Sequence, residues 1–369
     1  MSQLATPLDD VARHVIREVR RRRQSRRQQL PALRTDLAAR PRTATVFYLC
    51  PDHDMPSGGV RMMYRHVDML NAAGIPAFVL HERPGFSCTW FDHDTPVRAV
   101  PQVLLTSRDV LVVPELYGPT LHTLPTGLRT VVFNQNAYNT FDGVAQSASR
   151  HGGPYRSIAG LEGIMAVSFD NVEYLRFAFP RLPVERIRPG IDGDVFYPAG
   201  VRPGGEVPAR RIGLMPRKRA RDVGQVLHLL GAHGSLDGWE VVSIDNRTER
   251  ETAELLRSCP IFLSFSDREG FGLPPAEAMA CGCFVVGFTG LAGREFFQPE
   301  FSAPVDEGDV LAFARTVDRL LREYENTPLP LREAGLAASR FVLDMYSLER
   351  QRRDLIRYFA ELLNRESTS

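Results

Sequence analysis

Lysine is almost absent from this sequence. Of 45 basic residues only Lys218 is a lysine, and all the others are arginines. An arginine-rich codon bias accounts for the imbalance, but not for where the exception falls. Cysteine is sparse as well: five in 369 residues, an odd number that argues against a disulfide framework. Cys281-Gly-Cys283 is too tight for the usual zinc spacing and reads as two core thiols at a helix-to-strand junction. No apolar run approaches the length of a membrane span, and no signal-peptide core is visible, so a reducing cytoplasm is the expected setting. Net charge is missing too. The formal balance is +1, which excludes a protein that binds polyanions with its whole surface.

What is present fits a soluble α/β chain: 369 residues exceed one ordinary core and predict two domains, with 43% apolar and 24% charged residues. The most informative stretch runs from Ile261 to Gly282. Ile261-Phe262-Leu263 reads as a buried parallel strand, and a Gly-punctuated loop follows. Pro274-Pro275 starts a helix where a missing N–H costs least, and Gly282 sits where that helix would stop. The unit delivers Glu269 at the loop tip and Glu277 in the expected first helical turn. Gly270 and Gly272 between them would let backbone N–H groups approach a ligand. Taken alone, a helical Glu is favoured by the macrodipole and a loop Glu is usually solvated.

The full string E-G-F-G-L-P-P-A-E-A-M-A-C-G carries more than its two acids. It closely resembles the E-x7-E signature of retaining glycosyltransferases of family 4, which adopt the GT-B fold. That resemblance implies two Rossmann-like domains facing each other across a cleft. The rest of the chain supports the division: residues 43–198 as an N-terminal acceptor domain, 199–208 as a Pro- and Gly-rich linker, 209–345 as a nucleotide-sugar donor domain, and 346–369 as a helix returning to the first domain. SFDNVEYL (Ser168 to Leu175) and IRPGIDGDVFYP (Ile187 to Pro198) resemble the segments that close the first domain in this family, although Arg188-Pro189 departs from the usual start of the second.

In the first domain, Ala44 to Cys50, the loop to Gly59 and a helix from Val60 make a strand–loop–helix unit with an anion-binding start. By resemblance, Gly58 and Gly59 face the donor diphosphate. Glu115 and Asn134 to Asn136 end two strands; strand-terminating turns explain them, or contact with an acceptor. The family often carries a His near Asn134 to Asn136, so the expected role there is acceptor contact through Glu115, Asn134 and Asn136, without catalysis. In the second domain Arg217 stands where the family places a diphosphate arginine. Val223 occupies the place of the usual downstream lysine, and Lys218 is the candidate substitute. Arg and Lys are not equivalent on a diphosphate, since one is a planar fork and the other a compact charge.

The resemblance then implies roles. Glu269 holds sugar hydroxyls, and Glu277 the donor ribose. Arg217 and Lys218 neutralise the leaving diphosphate, with Gly270, Phe271, Gly272 and Leu273 along the donor. No metal and no cofactor is expected beyond the nucleoside-diphosphate sugar, and the acceptor is a glycan, lipid-linked or small-molecule hydroxyl. Three Asp-x-Asp triplets, at Asp52, Asp92 and Asp194's partner Asp192, match the metal motif of GT-A transferases but stand in unrelated contexts. An epimerase of the same fold and a non-catalytic sugar-nucleotide sensor are the other classes considered. Residues 1–42 form a basic preface whose Val11, Val15, Ile16 and Val19 stripe precedes six arginines between Arg20 and Arg27. Such a helix can make peripheral contact with an anionic membrane or pack on the protein body. Without interleaved aromatics, nucleic acid is not an expected partner.

Overall fold

The computed structural model describes residues 28–39, 43–53, 55–200 and 210–364. The helix expected around Val11 to Val19 and most of the expected linker lie outside them. Residues 28–39 correct one expectation, because this part of the preface is not helical. Pro31 interrupts any helix there, and Leu30, Leu33 and Leu37 pack against the first domain. Thr35–Asp36 pairs in parallel with Leu105–Thr106.

Seven strands form the first sheet: β1 Val46–Leu49, β2 Ala77–His81, β3 Val97–Ala99, β4 Val110–Pro114, β5 Arg129–Asn134, β6 Leu161–Ala166 and β7 Val184–Arg186. Their order is β3-β2-β1-β4-β5-β6-β7, and every pair is parallel. All residues of β1, β4 and β5 are buried, as a sheet covered on both faces requires. Helix α1 (Gly58–Ala72) starts on a Ser57 cap and turns Val60, Met63, Tyr64, Val67 and Leu70 to the core. Helix α2 (Phe169–Ala178) starts on Ser168, which accepts from the Asn171 amide.

The second sheet has five parallel strands: β8 Arg211–Leu214, β9 Glu240–Ser243, β10 Ile261–Ser266, β11 Phe284–Thr289 and β12 Ser302–Val305, in the order β9-β8-β10-β11-β12. Around it lie α3 (Ala220–His233), α4 (Glu249–Arg257), α5 (Leu273–Ala280), α6 (Val310–Asn326) and α7 (Pro328–Met345). In both sheets the chain reverses its direction of travel beside the first strand, between β1 and β4 and between β8 and β10. The crevice outside the carboxyl ends at such a point is where open α/β sheets take ligands.

Helix α8 (Leu348–Asn364) leaves the second domain and packs on α1 of the first. Arg188 grips Asp354 with two hydrogen bonds of 2.7 and 3.1 Å, Arg129 Nη2 donates to the Leu362 carbonyl, and the Gln351 amide meets His66. The crossing itself is pinned where the Ile191 amide donates to the Tyr346 carbonyl at 2.7 Å. One apolar cluster runs through this crossing, from Tyr48 and Val67 by way of Ile191, Phe196 and Tyr346 to Phe271, Phe296 and Met279. No helix among the described residues is long and apolar enough to cross a membrane.

Asp354→Ala leaves a half-buried guanidinium without its bidentate partner. Removing one member of such a pair exposes the other to its full desolvation cost. A loss of about 2 kcal/mol in urea unfolding is expected, against under about 0.5 kcal/mol for the exposed pair mutant Arg319→Ala.

Candidate active site

The two crevices face each other and enclose one cavity of about 830 Å³. The first domain lines it with the start of α1, the loop after β5 and an aromatic pair, Trp90 and Phe91. The second domain contributes the loops after β8, β9 and β10 and the start of α5.

The basic loop after β8 sorts its three cations by direction. Arg219 has a left-handed backbone (φ 50°) and turns away from the cavity. There it meets Asp222, Asp267 and Glu307, the last at 2.7 Å, and stacks over the Phe288 ring. That clamp fixes the loop. Lys218 is left to reach Glu269, with Nζ 2.5 Å from Oε1, while Arg217 stands exposed at the cavity wall. Glu269 is itself held from behind: its amide donates to the Gly290 carbonyl, and the Gly290 amide in turn donates to Glu307. Lys218 and Glu269 are thus brought together at the mouth of the second crevice.

Glu277 lies elsewhere than expected along its helix. Helix α5 begins at Leu273, capped by Gly272 in the left-handed region (φ 97°), so Glu277 falls in the second turn and not the first. The terminal-dipole argument therefore does not explain it. It is buried, and Oε1 accepts from Arg61 Nη2 of the first domain at 3.0 Å. Burial pushes its carboxyl above the usual range, and Arg61 pulls it back only partly.

The glycines also need a correction. A Cβ on Gly270 would stand 1.6 Å from the carbonyl oxygen of Gln135, and one on Gly58 would meet Leu273 Cδ1 at 2.7 Å. Both positions are small because the opposite domain passes there; Gly59 instead faces the Gln135 side chain of its own domain. Phe271 is largely a packing residue, its ring set against Phe296 and Tyr346.

The three acceptor candidates separate. Asn134 is fully buried and donates to Thr140 and Tyr155, so it belongs to the core. Glu115 is buried outside the cavity wall, with its two oxygens accepting from the Gln135 and Asn136 amides at 3.0 and 3.1 Å. It shapes the loop without touching the cavity. Asn136 does line the cavity, and its side chain donates across the cleft to the Arg268 carbonyl. Of the Asp-x-Asp acids, Asp52 is taken up by Arg83, His81 and two backbone amides. Among the described residues no three His, Cys, Asp or Glu side chains gather as metal ligands.

Residues 238–335 match the family model described as Glycosyl transferases group 1. These residues carry a group 1 glycosyltransferase domain. An alpha-1,6-glucosyltransferase of Actinobacillus pleuropneumoniae serotype 7 is 28% identical over 244 residues, covering 64% of this chain and 70% of its own. Sucrose-phosphate synthase from Thermosynechococcus elongatus superposes with a TM-score of 0.64 at 14% identity, over 86% of this chain and 99% of that one. HepE of Anabaena, solved with UDP and glucose, gives 0.63 at 12% identity over 86% and 100%. These likenesses are of fold, and the fold is GT-B. Of the residues that line the cavity, the sequence pattern singled out Glu269, Arg217, Lys218 and the glycine loops. It missed Arg61 and the Trp90–Phe91 wall, whose signal is only a polar helix residue and a surface-loop aromatic pair.

Two outcomes follow from this geometry. Gly270→Ala should fold normally yet turn over at least about 10²-fold more slowly, because the added methyl cannot coexist with the Gln135 carbonyl in the closed cleft. Thermal melts and kcat distinguish the two. Glu115 gives a pH dependence. Burial raises its pKa to about 7, although the backbone amides of Gln135, Glu115 and Asn136 oppose the shift. The folded state therefore binds the proton more tightly than the unfolded chain. The stability it contributes is complete below pH 4.5 and is lost as pH rises through 7, by up to about 3 kcal/mol. Urea titrations between pH 4.5 and 8 should show this slope flattened in Glu115→Gln.

Proposed function

We propose that the enzyme is a retaining, metal-independent member of family 4 that moves a sugar from a nucleoside diphosphate to a hydroxyl of a glycan, lipid-linked or small-molecule acceptor. The observation that carries this reading is the Lys218–Glu269 pair in the cavity, set beside the start of α5. Breaking the bond between the anomeric carbon and the phosphate oxygen leaves positive charge on the sugar and negative charge on the diphosphate. Lys218 and Arg217 receive the negative charge, helped by the amino end of α1. Glu269 accepts from sugar hydroxyls, and Glu277 from the ribose. The acceptor hydroxyl attacks from the face the diphosphate leaves, and its proton passes to the departing phosphate oxygen. No protein nucleophile is required.

Trp90 and Phe91, with ring centroids 4.5 Å apart, supply the apolar wall on the first-domain side. The C–H face of an acceptor sugar ring suits such a surface, which supports a glycan. UDP is the nucleotide named for the HepE neighbour, and it is the first probe to try here. The buried thiols of Cys50, Cys259, Cys281 and Cys283, none of them in a disulfide, support a reducing, cytoplasmic setting.

Turnover with a matched donor should survive EDTA, and Lys218→Arg should lose roughly 10² in kcat, because a broad fork cannot replace the compact head between Glu269 and the diphosphate. Metal-dependent turnover, or Lys218→Arg kinetics equal to wild type, would remove the proposed charge mechanism.

A further inference from the structure

Arg61 stands on α1 of the first domain, one turn inside the Ser57 cap, yet both its ionic partners belong to the second domain. Nη2 donates to Glu277 Oε1 at 3.0 Å, and Nη1 lies 2.6 Å from Glu249 Oε1. Its side chain is only 14% exposed and lines the cavity. Among the described residues its buried Nε–H meets no acceptor. A buried donor left unmet costs about 1–3 kcal/mol, so the arrangement is expensive unless something in the cavity accepts that proton.

The surroundings narrow what that acceptor is. Glu249 is the first residue of α4, and the Asp245–Thr248 loop before it lines the same cavity. Arg65, one turn along α1, lies 3.8 Å from Glu249 and donates to the Gly190 carbonyl, so it steadies Glu249 from the first domain. Arg61 is the cation that touches Glu277.

We propose that Arg61 completes the ribose site from the opposite domain, pairing its free Nε–H with the carboxylate of Glu277 around one ribose hydroxyl. The proposal rests on the reading of Glu277 as the ribose acceptor. A hydroxyl both donates and accepts. Its O–H goes to Glu277, and its oxygen takes the Arg61 Nε–H. Neither protein group alone satisfies both halves. Because the two stand on different domains, ribose recognition is complete only when the cleft is closed, and the nucleoside half of the donor becomes what holds it closed.

The test titrates wild type, Arg61→Met and Arg61→Lys by calorimetry with UDP and 2′,3′-dideoxy-UDP, and with the guanosine pair where the uridine pair gives no heat. Small-angle scattering follows the radius of gyration. Wild type should prefer the ribose form by about tenfold or more and compact on binding it. Arg61→Met should bind the dideoxy form within about threefold of wild type, while losing most of the ribose preference and the compaction. Arg61→Lys keeps the charge but not the Nε–H, and should behave as Arg61→Met does. Ribose preference retained in both variants overturns the proposal, as does equal weakening of both nucleotides, which makes Arg61 an interface residue only. A wild type that binds none of the four overturns the donor-site reading itself, and this proposal with it.

Discussion

Backbone against backbone is the constraint on which this molecule turns. Two parallel sheets can share one ligand only if their carboxyl ends face each other, and the loops there must then come closer than side chains permit. Gly270 passes the Gln135 carbonyl at such a distance, and the neighbouring contacts serve that passage. Glu115 gathers the Gln135 and Asn136 amides from below, and Asn136 donates back to Arg268. The aromatic cluster of Phe271, Phe296 and Tyr346 sits at the same junction, so closure is backed by apolar packing as well as by polar contacts.

Charge is arranged so that the structural work falls to arginine. Arg188 holds the returning helix, Arg211 pairs with Glu240 in two bonds, and Arg219 gathers three carboxylates. A planar fork with five donors suits each of these posts. In the proposed mechanism Lys218 has the opposite need: it changes partner between Glu269 and the diphosphate, and a compact head on a flexible stem does so without rebuilding a bidentate geometry.

Much of the fold was legible because parallel strands write themselves as unbroken apolar runs. Val110 to Val113 and Ile261 to Leu263 could hardly be anything else, although the second strand runs on to Ser266, where a loop was expected. Two other short edge strands were less legible than Glu240–Ser243. Val184–Arg186 alternates with charge, and Ser302–Val305 contains a proline that only an edge position tolerates. At the site, the Glu269 loop announced itself through spacing. Asn134 and Glu115 misled because a polar residue at a strand end looks the same whether it faces a ligand or a neighbouring amide. Arg61 was invisible for a different reason. Its partner lies 216 positions away, on another domain, and nothing local distinguishes it from a solvated helix residue.

The scarcity of lysine gives the molecule a chemical simplicity. Apart from the chain's own α-amine, it carries one primary amine, and that amine stands in the interdomain cleft, partly exposed and paired with Glu269. Amine-selective acylation, ruinous guesswork in most enzymes, is here addressed to a single side chain. A mass increment on Nζ would report whether the cleft is occupied, because in the proposed mechanism a bound diphosphate shields it. The composition that first set this sequence apart thus equips the enzyme with its own intrinsic reporter.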